Sequence, residues 1–220
     1  WRRVASFRPF RLPGGERAGR EPWRSAAAMC WEAGLEWPAV PDVDGLARAA
    51  WERKLNAPVT TAVGRLFDAA AALSGTCLHA SYEGEGPMRF EAAANGVAAE
   101  GARALPLARD PDGLLRADWA PLLAPLQDAG VPLARRAAWF HDSLALTALA
   151  IYRAVSADTL VAAVGATGGV LQNRILAERM QAYFQAANVP LALPARLPAN
   201  DAAIAFGQVI EYAAASAPEG

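Results

Sequence analysis

Gly168 and Gly169 close the apolar run VAAVGATGG, and a helical pattern carrying Asn173 and Arg174 starts immediately after them. Bare backbone at such a junction lets a ligand come close where a side chain would block it. The helix start adds unpaired N–H groups and partial positive charge, which suit a phosphate, and the Asn173 amide can donate to it. Asp68 follows Gly64 by four residues in GRLFDA, so a carboxylate and a gap share one side of a helix, an arrangement able to accept the hydroxyls of a ribose. In YEGEG, Glu83 and Glu85 alternate with Gly84 and Gly86, a turn suited to contact a sugar or a purine. Asp201 opens the last helical pattern in LPANDAAIAFGQ, where it can reach a metal ion or a phosphate-bound cation.

Each of these features also has an ordinary explanation. Two glycines make a tight turn. Asp68 pairs with Arg65, three residues back, in a surface contact worth about 0.2–0.5 kcal/mol. YEGEG connects two helices, and Asn200 or Asp201 caps a third, contributing typically ~1 kcal/mol. His79 and His141 are the only histidines, and His141 falls beside the apolar stripe of a long helix, the place of a packed, hydrogen-bonded core residue. A zinc or other transition-metal site needs three or four ligands. With no H-x-x-x-H spacing, the chain does not close such a site alone, and neither a Ser-His-Asp arrangement nor a Walker loop is present.

These residues must be positioned by the elements around them. Residues 1–21 read as an extended, irregular lead-in; 22–156 as mostly helical; 157–215 as a β-α-β-α core. Helices are expected at 23–33, stopped by Gly34, and at 42–55. A third, AVGRLFDAAAALSG, is capped by Thr60 or Thr61 and carries Val63, Leu66, Phe67, Ala70 and Leu73 on one apolar face. A fourth spans about 87–100. ALPLA and LLRAD are short strands around the turn DPDG, and Trp119 to Ala129 is helical. The period of Leu133, Ala137, Phe140, Leu144, Ile151 and Val155 gives a long helix over 133–156. Strand 159–164, helix 172–187, strand 189–193 and helix 201–214 then alternate, which predicts an α/β lobe in which helices outnumber strands.

Composition bounds what such a lobe does. Apolar residues at 54% and charged residues at 20% are globular rather than disordered proportions. A formal charge of −1 supplies no broad attraction to nucleic acid or to an acidic membrane, so neither is expected as a partner. The run from Leu160 to Leu171 is far short of the ~20 residues a membrane span needs, and no signal peptide is visible. Cys30 and Cys77, far apart and outside any C-x-x-C, read as two reduced, buried thiols of a cytoplasmic protein. The start at Trp1, without a methionine, reads as a cut inside a longer protein or as a processed piece.

Taken in order, NAPVTTAVGRLFDAAAAL, YEGEGPMRFEA, FHDSLA, GGVLQNRIL and LPANDAAIAFGQ resemble five consecutive blocks of the carbamoyltransferase HypF family, maturation factors of nickel–iron hydrogenase. FRPFRLPGGERAGREPWRSA resembles the segment just upstream of them. The likeness covers nearly the whole chain and corresponds to the C-terminal half of the TsaD-like domain. It implies the helix-rich C-terminal lobe of an actin-like and sugar-kinase-like (ribonuclease H-like) ATPase fold. It also implies a chemistry, in which carbamoyl phosphate and ATP give a carbamoyl-adenylate whose carbamoyl group passes to the C-terminal cysteine thiolate of a HypE-like partner. The dehydrated product becomes a cyanide ligand of the hydrogenase iron.

By matching motifs, Gly168 and Gly169 face the phosphate, Asn173 contacts the nucleotide, and Asp68 holds the ribose with Glu83 and Gly84 close by. Asp201 is then the C-terminal ligand of a divalent metal (zinc, iron or magnesium) whose site this chain leaves incomplete. Three departures accompany the likeness. The family's paired metal-binding histidines lie upstream, as do its acylphosphatase-like, zinc-finger and adenylate-forming domains, so the isolated chain is expected to be inactive. Asn200-Asp201-Ala202-Ala203 stands where NDGG is usual, and Glu85 with a Gly-Pro pair stands where glutamine and small residues are usual. Two other readings remain: an O-carbamoyltransferase acting on a small-molecule hydroxyl, and a non-catalytic module that docks a partner. All three readings with a pocket require Asp68, Asn173, the double glycine and Asp201 to converge on one side of the lobe.

Overall fold

The computed structural model describes residues 2–216. Its first segment, expected to be irregular, is instead woven into two small sheets. Strand β1 (Ala5–Phe7) and strand β2 (Phe10–Arg11) precede a 3-10 turn at Gly15–Gly19. Strands β4 (Leu107–Arg109) and β5 (Leu115–Ala117) form around the expected turn. β1 runs parallel to β5, with Ala5 opposite Leu115, and β4 flanks β5 antiparallel. β2 pairs antiparallel with β3 (Val59–Thr60). Strands of two or three residues have almost no periodicity of their own, and partners far along the chain make them strands.

Helix α1 (Trp23–Ala33) ends at Gly34 as its sequence requires. Helix α2 (Leu46–Glu52) is shorter than 42–55, because Asp42 caps it from outside: its carboxylate accepts the N–H groups of Ala47 at 3.0 Å and Arg48 at 2.8 Å. Helix α3 (Val63–Leu73) starts after Ala62 rather than at a threonine cap; Thr60 Oγ1 accepts the Ala62 N–H at 3.1 Å instead. Helix α4 (Glu85–Ala94) begins and ends before 87–100, giving way at Asn95-Gly96. Pro121 and Pro125 interrupt the expected 119–129 helix, leaving a 3-10 turn at Ala120–Leu122 and helix α5 (Leu123–Gln127). The long helix α6 is Leu133–Ser156, as the period predicts.

Of the expected strand 159–164 only β6 (Val164–Gly165) forms, and Leu160 is 95% exposed. A 3-10 turn at Gly169–Gln172 leads into helix α7 (Arg174–Ala186), and β7 (Leu191–Ala192) returns parallel to β6. A second 3-10 turn, Asp201–Ala203, leads into helix α8 (Ile204–Ser216), which has no buried residue. Val209 and Tyr212 are 65% and 75% exposed. α8 is thus a mostly apolar helix left uncovered by the described residues.

The core is a stack of helices in which α3 lies between α1 and α4, and α6 between α4 and α7. Ala26, Ala27 and Ala28 of α1 and Ala69 to Ala72 of α3 are all buried, so small side chains bring the backbones close. Gly86 does the same for α4, since a Cβ there would stand 3.1 Å from that of Ala71. Phe67 and Phe90 meet Phe140 edge-on, with ring centroids 5.0 and 5.5 Å away, and His141 stacks on Phe90 at 5.9 Å. Cys30 and Cys77 are free and buried, and burial pushes both thiols up, Cys30 to about 11. Among the described residues no helix is long and apolar enough to cross a membrane.

Candidate functional site

Helix α3 supplies the first wall of the site. Its Gly64 has room for a side chain only as far as Val170, whose Cγ2 lies 3.9 Å from where a Cβ would be. The start of α3 therefore faces the turn that follows the double glycine. One helical turn on, Asp68 is only 6% exposed, not the surface residue that an i,i+3 pair suggests. Its Oδ2 accepts from Arg65 Nη1 at 2.8 Å, and the same nitrogen donates to the Ala18 carbonyl at 3.2 Å. Burial pushes the Asp68 carboxyl up to about 6; Arg65 opposes the shift and the nearby Glu83 charge adds to it.

Glu83 and Gly84 sit in the turn before α4. That turn is braced by Glu85, which is buried, accepts the Ser81 N–H at 2.5 Å and pairs with Arg89 at 2.5 Å. Glu85 is thus structural, which accounts for a charged residue at this position.

The double glycine divides its labour. Gly168 has φ 114° and ψ 157°, a conformation reserved for glycine, and its N–H donates to Ala199 O at 2.6 Å. Thr167 Oγ1 donates to the same carbonyl at 3.2 Å. These bonds fasten the glycine turn to the segment that carries Asn200 and Asp201. Gly169, by contrast, has nothing within 4 Å of where a Cβ would stand. Gly168→Ala is therefore expected to cost ~1–3 kcal/mol of backbone strain, and Gly169→Ala under about 0.5 kcal/mol, read from urea midpoints. Equal losses would contradict this division.

Asn200, not Asp201, is the cap of the last helical segment: its Oδ1 accepts the Ala202 N–H at 3.2 Å. The exposed Asp201 carboxylate makes no hydrogen bond or ion pair among the described residues. Nor do any three His, Cys, Asp or Glu side chains among those residues cluster closely enough to hold a metal ion. A single carboxylate does not make a metal site, so toward the metal that the resemblance implies the described residues offer Asp201 alone.

Asn173 is the N-cap of α7 and faces inward. Its Oδ1 accepts the Leu176 N–H at 2.8 Å, and its Nδ2 lies 3.1 Å from His141 Nε2. His141 Nδ1 sits 2.7 Å from the Ala137 carbonyl, which can only accept. The imidazole therefore carries its proton on Nδ1, and Nε2 accepts from Asn173. Burial lowers the His141 pKa, in keeping with a neutral ring. His141 is the hydrogen-bonded core residue its position predicts. It also fixes the Asn173 amide, leaving one N–H of Nδ2 for a ligand.

The sequence-selected residues are thus linked: Gly64 to Val170, Gly168 to Ala199 beside Asp201, Asn173 to His141, and Asp68 within reach of Glu83. Cavities of about 540 and 430 Å³ lie elsewhere, the first beside Trp139 and Arg135 and the second beside Asn95 and Arg179. Sequence reasoning missed the Ala18 carbonyl and Thr167. The GG and AG pairs of LPGGERAGR were the available signal for the first, and nothing local marked the second.

The structure is thus a helix-rich α/β lobe in which a glycine turn faces a carboxylate-bearing helix. Residues 1–208 match the family described as "Carbamoyltransferase, Kae1-like Domain, second subdomain". The carbamoyltransferase HypF of Rhizobium leguminosarum bv. viciae is 37% identical over 227 residues, covering 94% of this chain and 27% of that protein. The carbamoyltransferase HypF of Rhodobacter capsulatus is 38% identical over 219 residues, covering 96% and 28%. The crystal structure of full-length HypF in the phosphate- and nucleotide-bound form superposes with a TM-score of 0.82 at 21% identity, covering 99% of this chain and 30% of that one. The chain belongs to the HypF carbamoyltransferase family and has the fold of the second subdomain of its Kae1-like domain.

Proposed function

We propose that this lobe forms half of a nucleotide pocket in a HypF-type carbamoyltransferase, holding the carbamoyl-adenylate made from carbamoyl phosphate and ATP. The observation that supports the reading is that the start of the helix carrying Asp68 meets the turn after the double glycine, and that this turn is bonded to the segment carrying Asn200 and Asp201. Asp68 takes the ribose hydroxyls through Oδ1, which accepts no hydrogen bond among the described residues. Gly168 N–H is committed to Ala199, so the phosphate approaches over Gly169, where no side chain intervenes. Asn173 contributes its remaining amide N–H.

The acceptor is the C-terminal cysteine of a HypE-like protein. Its thiolate attacks the carbamoyl carbon, a C–S bond forms, the C–O bond to phosphate breaks, and AMP leaves with the electron pair. This chain's part is orientation, holding the adenylate so that attack is effectively unimolecular. No step assigned to these residues passes through a metal. Calorimetry with a non-hydrolysable ATP analogue on the full-length protein tests the reading, together with transfer to the partner's cysteine. Asp68→Ala is expected to weaken nucleotide binding and lower transfer at least tenfold, about 1.4 kcal/mol. Unchanged transfer ends the ribose assignment, and carbamoylation of a small alcohol in preference to the thiol redirects the acceptor.

A further inference from the structure

We propose that Arg65 is a positioning residue: clamped between the Ala18 carbonyl and Asp68 Oδ2, it holds the Asp68 carboxylate in place with Oδ1 presented to the ribose of a bound nucleotide. The inference rests on the nucleotide reading above and adds to it a residue that does not itself touch the ligand.

An exposed i,i+3 pair contributes little, but this one is not exposed on the carboxylate side. Asp68 is 94% removed from solvent, while Arg65 keeps 28% of its side chain accessible. The guanidinium lies along the 3-10 turn Gly15–Gly19, and its Nη2 stands 4.0 Å from where a Gly19 side chain would begin. A side chain there would meet the arginine in ordinary van der Waals contact. The turn thus holds Arg65 by one end while Arg65 holds Asp68 by the other. The ionisable groups that reach Asp68 are Arg65 from its own helix and Glu83 from the turn before α4, and Cys77 in turn feels the Asp68 charge. The turn 169–172 brings no charge. Among the described residues Arg65 is therefore the one cation acting on this buried carboxylate, and without it Glu83 is left as the neighbour that favours protonation.

The test uses the full-length protein and titrates a non-hydrolysable ATP analogue across pH. In the wild type, affinity falls as pH drops through about 6, where Asp68 takes up a proton. Arg65→Gln removes the charge and keeps a hydrogen-bonding side chain. The expected result is a midpoint moved to higher pH, with roughly tenfold weaker binding near neutrality for each pH unit of displacement and recovery toward wild type in alkaline buffer. Arg65→Lys is expected to stay close to the wild-type profile, because the charge remains. A loss in Arg65→Gln that is the same at every pH, no loss at all, or an Arg65→Lys profile matching that of Arg65→Gln overturns the proposal. Asp68→Asn separates the two levels. If it binds the analogue as well as wild type, the nucleotide reading fails and takes the role of Arg65 with it. If it binds weakly with no pH dependence while Arg65→Gln leaves the midpoint unmoved, only the positioning role fails.

Discussion

Asp68→Asn makes the protein more stable at neutral pH and, on the function proposed above, weakens its hold on nucleotide. Burial moves the Asp68 pKa from an ordinary 3.8 to about 6. A raised carboxyl pKa means that folding favours the protonated form. The favourable contribution is complete below about pH 3.8 and is lost as pH rises through about 6, where the buried group must ionise. Above that pH the folded state carries a penalty of about 3 kcal/mol at most, from ~2 pH units at 1.36 kcal/mol each. Asparagine keeps an acceptor for Arg65 and removes the charge. The expected gain is on the order of 2 kcal/mol at pH 7.5, shrinking to nothing near pH 4, read as the wild-type-to-variant difference in urea unfolding free energy. A variant less stable than wild type at pH 7.5 would contradict the burial argument. Such a trade, stability given up at a ligand-binding group, is common at functional sites.

Removing the His141 ring produces the opposite and larger effect. The ring fills space between Phe67, Phe90 and Phe140, and both nitrogens are bonded, one to Ala137 and one to Asn173. His141→Ala leaves a cavity and an Asn173 amide with no acceptor, at a cost of ~3–5 kcal/mol. His141→Phe refills the cavity but leaves the amide unpaired, at about 1–3 kcal/mol. Urea unfolding at pH 7.5 ranks the two, and a phenylalanine variant as unstable as the alanine variant would show that the hydrogen bond, not the packing, dominates. Because the His141 pKa is depressed, its contribution is fully present above about 6.5 and is lost as pH falls through the folded value. The two buried groups therefore respond to acid in opposite directions.

The long-period elements were legible because burial writes itself into spacing. Helix α6 matches the stripe from Leu133 to Val155, and α1 stops at its glycine. The first strand was not legible, since Ala5–Phe7 depends on residues 115–117 and three residues carry no pattern. Helix ends moved where side chains acted at a distance from the expected cap, as Asp42 does for α2. In the site, residue types and order led to Asp68, the double glycine and Asn173, because backbone access and first-turn amides are local properties. What escaped was everything settled by packing. The Arg65 pair is half-buried rather than on the surface, and Asn173 spends its oxygen on α7. His141 was read as core from its place on the helix, yet its grip on Asn173 joins residues 32 positions apart.

The parallel pairing of β1 with β5 sets an order of events for the newborn chain. Ser6 meets Arg116 across 110 residues, and the Trp119 indole donates to the Arg8 carbonyl at 2.7 Å. During synthesis from the N-terminus, the opening strand has no mate until the ribosome has delivered the segment through Trp119. Helices α1, α3 and α4 can meet in the interval, and β1 takes its seat only after them.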